Sequence, residues 1–132
     1  MNITPENITE LKPNQIFAFG SNLASRHGAG AARFAYENFG ARYGVGVGRS
    51  GQSYAIPTKD EHIESLPLTE IAKYVTDYLR YAAAHPELVF LTTQIGCGLA
   101  GFSAADIAPL FFAHPIPDNV YLPASFWRER KP

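Results

Sequence analysis

The chain contains one cysteine, Cys97, which excludes an internal disulfide framework and a multi-cysteine zinc site. It has little net charge. Eleven Lys+Arg against 12 Asp+Glu give a formal -1, with no basic stripe, which argues against a surface built to track a nucleic-acid backbone. A small phosphorylated ligand stays open, because a few local donors suffice for it. No apolar run reaches the length of a transmembrane helix, and the N-terminal MNITPENITELKP lacks the basic-then-apolar order of a signal peptide. The expected location is therefore cytoplasmic, with no membrane partner. No His/Asp/Glu spacing suggests a catalytic metal, so no metal or cofactor is expected. There is no Gly-Lys-Ser/Thr of a Walker loop, no clean dinucleotide fingerprint and no Gly-x-Ser-x-Gly elbow.

What the chain does have is apolar material. Of its 132 residues 46% are hydrophobic and 13% aromatic, which suits one core and a single domain over residues 1–132. Residues 15–20 (QIFAFG) read as a buried strand. Residues 30–38 read as a helix with Ala31, Phe34 and Ala35 on its apolar face and Gly40 as its stop. Two short strands follow within 43–57, the second being SYAIP. Leu68 to Ala84 has the clearest helical spacing, with Thr69 as the expected N-cap and Pro86 ending it. LVFLTTQIG reads as a buried parallel strand. Residues 103–112 read as a helix capped by Ser103 and Asp106, with Pro109 ending or kinking it, and NVYLP reads as a last strand. This alternation predicts an α/β domain with a mixed, largely parallel sheet, whose ligands bind at the carboxyl ends of the strands.

Glycine clusters fall at those strand ends. The first spans Gly20, Ser21 and Asn22 to His27, Gly28, Ala29 and Gly30, and opens a helix. The second spans Gly96, Cys97, Gly98, Leu99, Ala100, Gly101 and Phe102 ahead of the helix after Ser103. Glycines let backbone N–H groups approach a ligand, and a helix N-terminus adds further donors suited to phosphate. Two such loops can grip a diphosphate, with Asn22 and His27 adding side-chain donors and Phe102 closing over a sugar or base. The plainer alternative is that the glycines only form tight turns. A third run, Gly44–Gly51, reads as a hairpin or flap carrying Arg49.

These residues resemble the macro domain family, which binds ADP-ribose and related metabolites. Asn7-Ile8-Thr9 resembles the family's Asp-Ile-Thr element, which receives the adenine amino group. Asn22 is similar to the Asn that reaches the distal ribose. His27-Gly28-Ala29-Gly30 resembles the loop opening the first helix, and Thr93 to Leu99 resembles the phosphate loop. Ile95-Gly96-Cys97-Gly98-Leu99 is most similar to the branch of terminal ADP-ribose protein glycohydrolases. The chain also resembles phage-related and bacterial proteins without an assigned mechanism. The resemblance implies a macro-like three-layer α/β/α fold, binding of ADP-ribose or a relative, and an ADP-ribosylated macromolecule as a further partner. It leaves hydrolysis open: the branch's catalytic Asp position is Ala100, its Lys corresponds to Lys59 only after a one-residue shift, and Asn7 replaces the adenine-site acid.

The reactive side chains have competing readings. Lys59 can neutralise a diphosphate or, with a lowered pKa, attack an anomeric carbon; alternatively Lys59 and Asp60 form a solvated turn. Asp60 can substitute for the missing acid. Cys97 is a nucleophile or a small packed residue, with packing preferred. Phe126 to Lys131 either stacks on nucleic acid or docks as an aromatic tail, with docking preferred. Against an ADP-ribosyl hydrolase stands a non-catalytic interaction or regulatory module that keeps the fold.

Overall fold

The computed structural model describes residues 1–131. The elements run β1 (Gln15–Asn22), α1 (Gly30–Asn38), β2 (Gly48–Ser50), β3 (Ser53–Lys59), α2 (Leu68–Ala84), β4 (Val89–Thr92), α3 (Ala104–Phe112), β5 (Val120–Tyr121) and α4 (Ala124–Trp127). The five strands form one mixed sheet in the order β2-β3-β1-β4-β5, in which only the β2–β3 pair is antiparallel.

Strand β1 is central and buried on both faces, which is why its sequence is almost uninterruptedly apolar rather than alternating. Ile16 and Ala18 point into a large core with Ile71, Val75 and Tyr78 of α2, Ile107 and Phe111 of α3, and Phe126 of α4. Phe17 and Phe19 point the other way, into a smaller core with Ala32 and Ala35 of α1 and with Phe39. Helices therefore cover both faces of the sheet in three layers. The chain crosses one face through α1 and the other through α2 and α3, so the carboxyl ends of β1, β3 and β4 gather at a point where successive crossovers diverge.

Helices α1 and α2 have the predicted boundaries, but several local details differ. The buried side of α1 is Ala32 and Ala35; Ala31 and Phe34 are exposed. The N-cap of α2 is Pro67, not Thr69, because Pro67 already has the extended backbone of a cap (φ -59°, ψ 146°) and its fixed φ starts the helix without a side-chain bond. Pro109 does not end α3, which continues to Phe112. The only helical bond its missing N–H removes is the one to the Ala105 carbonyl, a small loss against a helix whose Ile107, Ala108 and Phe111 are fully buried. Strand β4 is shorter than its apolar run and ends at Thr92. The run Gly44–Gly51 holds no free flap. The Ser21 hydroxyl donates to the Gly46 carbonyl, and Gly44 N–H donates to the Ser25 carbonyl at 3.0 Å. The C-terminal aromatics dock: Phe126 and Trp127 are buried, Trp127 Nε1 donates to the Asn2 carbonyl at 2.9 Å, and Arg130 lies over the Phe112 and Trp127 rings. No helix of the described residues is long and apolar enough to cross a membrane.

Candidate functional site

Two adjoining cavities form one groove over the carboxyl ends of β1, β3 and β4, sharing Gly30, Ala31, Thr93 and Gln94 as common walls. The inner cavity, about 400 Å³, is bounded by Gly20, Ser21 and Asn22, by Gly28 to Ala32, and by Ile95, Gly96 and Gly98 to Ala100, with Lys59 and Ile63 alongside. The outer cavity, about 510 Å³, is bounded by Thr4 to Thr9, by Phe17 and Phe34, and by Ala124, Ser125 and Arg128. Both glycine clusters thus face one space, and Asn7 and Ile8 lie at its far end.

The backbone explains why glycines stand here. Gly30 (φ +59°), Gly96 (φ +73°) and Gly101 (φ +82°) adopt left-handed conformations that Cβ-bearing residues rarely enter. The resulting loops present backbone N–H groups without partners. Among the described residues, Gly28 and Ala29 in the first loop and Gly98, Leu99 and Ala100 in the second donate no backbone hydrogen bond. Gly28 and Gly98 have open space where a side chain would stand, so a ligand can approach the backbone directly.

The two helix N-termini behind the loops are not equivalent. Ala29 caps α1 with extended backbone (φ -155°, ψ 162°), no side-chain acceptor and no acid in the first turn. Its first N–H groups and partial positive charge are unanswered and face the groove. Helix α3 is closed by its own capping box: Asp106 N–H donates to Ser103 Oγ at 3.3 Å, and Ser103 N–H donates to Asp106 Oδ2 at 3.0 Å. The second loop therefore offers only loop donors, while the first offers a helix N-terminus as well. The charges agree with this polarity. The ionisable side chains lining the inner cavity are Arg26 and Lys59, with no carboxylate among its described residues.

Several expected contacts are placed elsewhere. His27 is only 2% exposed and packs against Phe19, Tyr36 and Tyr43, outside the groove wall. Burial lowers its pKa, and the nearby Ser25 and Val45 carbonyls offset this only in part; neither ring nitrogen makes a hydrogen bond of normal geometry. Asn22 lines the groove, but its amide is engaged within its own loop, donating to the Arg26 carbonyl at 2.8 Å and accepting from Arg26 N–H at 3.0 Å. Ser21 contributes backbone, its hydroxyl being bound to Gly46. Cys97 packs on the large core, and burial, then the Asp106 charge, pushes its thiol pKa up, which opposes a thiolate nucleophile. Phe102 packs on the same core rather than over the groove.

The two proposed catalytic side chains separate. Lys59 lines the inner cavity beside the strand end, its backbone held by Leu23 N–H to Lys59 O at 2.9 Å. Asp60 does not line the cavity. Its carboxylate accepts from Glu64 N–H at 3.0 Å and His62 N–H at 2.8 Å, and those bonds lower its pKa. A carboxylate stabilised as the anion inside a turn is a poor proton donor.

The structure also brings in residues that the sequence did not single out as ligand contacts. Phe34 offers a ring to the outer cavity. Ile63 joins the inner wall from a turn remote from both glycine loops. Local spacing set Phe34 on the apolar face of its helix, which concealed it, and nothing in the sequence marked Ile63. Comparison of the chain with protein families, curated proteins and solved structures gave no match.

Proposed function

We propose that this groove binds ADP-ribose or a closely related nucleotide diphosphate sugar, free or attached to a macromolecule, and that the chain is a cytoplasmic macro-like domain. The observation that carries this reading is the set of unpaired N–H groups from two loops and the uncapped α1 N-terminus, converging on a cavity whose charged side chains, among the described residues, are Arg26 and Lys59. Such a cavity is selective for an anion. The joint between the cavities, where Gly30, Ala31, Thr93 and Gln94 meet, suits a diphosphate; the outer cavity suits a nucleoside, with Asn7 as a polar contact and Phe34 as a ring to stack on; the inner cavity suits the second sugar.

Binding is better supported than hydrolysis. Lys59 can bring positive charge to a departing or attacking group. With Ala100 at the branch's acid position and Asp60 engaged in its turn, however, no carboxylate among the described residues lines the inner cavity to carry a proton.

Calorimetric titration tests the reading, with ADP, AMP and ribose 5-phosphate as controls. ADP-ribose should bind more tightly than each control, and Lys59→Ala should weaken it about tenfold, the scale of one charge-assisted contact. Absence of binding by any of the four would refute the proposal. Release of ADP-ribose from a modified protein, lost in Lys59→Ala and retained in Asp60→Ala, would establish hydrolysis and assign it to the lysine.

A further inference from the structure

Resting on that reading of the groove, one feature of the inner cavity has no role in holding a diphosphate sugar. Two large apolar side chains line it while remaining open to solvent: Ile63, 39% exposed, and Leu99, 72% exposed. Leu99 reaches across to the first glycine loop, its Cδ1 lying 4.0 Å from where a Cβ on Gly30 would stand. Ile63 has φ +62°, a left-handed backbone that is a genuine outlier for a β-branched residue. Strain of this kind persists only where the surroundings impose it, and it gathers at ligand sites.

The imposing contacts are identifiable. The Asp60 carboxylate accepts two N–H groups of the Ile63 turn, Asp60 N–H donates to the Glu64 carbonyl at 2.7 Å, and Ser65 Oγ donates to the Ala100 carbonyl at 2.6 Å. The last bond ties the turn to the loop that carries Leu99. Asp60 is thus a positioning residue: it holds a strained turn that delivers Ile63 to the cavity.

A sugar ring presents hydroxyl groups and gains little from two aliphatic walls, whereas a flat ring attached to that sugar can lie against them. The outer cavity already offers Phe34 as a stacking face. The groove thus has an apolar face in each cavity, with the anion-binding donors in the inner cavity and at its junction with the outer one. We infer that its preferred ligand is a dinucleotide, with a planar ring on each sugar, and that Ile63 and Leu99 select the ring at the inner end. Lys59 shares that cavity and carries a positive charge, so it disfavours a cationic ring and accepts a neutral one.

ADP-ribose, NAD⁺ and NADH are the probes, titrated calorimetrically at one ionic strength. They share the adenosine diphosphate and distal ribose, and differ in having no ring, a pyridinium ring and a neutral dihydropyridine ring. NADH should bind about tenfold more tightly than ADP-ribose, a difference of about 1.4 kcal/mol, and more tightly than NAD⁺. Leu99→Ser and Ile63→Gly should each bring the NADH to ADP-ribose ratio towards one. Glycine relieves the strained φ, so the second variant tests the contact without breaking the turn. Equal affinity for NADH and ADP-ribose in the native chain, or a ratio unchanged in both variants, would overturn the inference and leave the proposed function standing. Binding of none of the three would overturn the proposed function and this inference with it.

Discussion

Ala29→Asp sets stability against function at one position. Ala29 has the extended backbone of an N-cap, is exposed, and supplies no acceptor to the first turn of α1. An aspartate there can accept from the N–H groups two and three residues on and answer the helix dipole, which is worth about 1 kcal/mol. For a domain of this size that corresponds to a rise in Tm of about 3–5 °C. The same N–H groups are those assigned to the ligand's diphosphate. A carboxylate about 5 Å from a phosphate charge, at an effective dielectric of about 20, costs about 3 kcal/mol. Exposure and salt reduce this, so the expected loss of ADP-ribose affinity is tenfold to a hundredfold, larger at low ionic strength. Thermal unfolding and calorimetric titration of the same preparation read both effects. A stabilised variant with undiminished binding would show that the anion does not lie at α1. A destabilised variant would show that Ala29 is not poised as a cap.

Two further expectations concern the scaffold of the first loop. A Cβ on Gly46 would lie 2.4 Å from the Asn22 carbonyl oxygen, a backbone atom that cannot rotate away, so Gly46→Ala should cost about 1–3 kcal/mol in urea unfolding; an unchanged midpoint would contradict the packing of residues 44–47 on residues 22–25. Burial lowers the pKa of His27 in its aromatic surroundings. The unfolded chain then binds more protons below the ordinary histidine pKa of about 6.5, so stability is full above that value and falls as pH drops through it. Tm measured from pH 7.5 to 5 should fall more steeply in the native chain than in His27→Phe; parallel profiles would mean that His27 titrates as it does in the unfolded chain.

Much of the architecture was legible in local sequence, because it follows from short-range physics. The helical spacing of Ile71, Val75, Tyr78, Leu79 and Ala82 set α2, and the apolar run around Phe17 and Phe19 marked a buried strand. Ser103 with Asp106 announced the start of α3. The errors lay where a local rule met a tertiary one: Pro109 is tolerated because its helix face is buried, and β4 ends at Thr92 although the apolar run continues.

The site divides along the same line. Glycine spacing marked two loops at strand ends, because glycine enters the left-handed region without a Cβ penalty, as Gly30, Gly96 and Gly101 do here at φ +59°, +73° and +82°. Only the tertiary structure decided which way each neighbouring side chain turns. It sent His27 into a cluster of rings, Cys97 and Phe102 onto the core, and Asp60 into a turn, leaving Lys59 at the groove. It also brought Ile63 into the same cavity as Leu99 across 36 residues of chain. The physical reason is that backbone conformation answers to nearby residues, whereas the face a side chain takes depends on what burial and hydrogen bonding offer it from parts of the chain that sequence order does not place together.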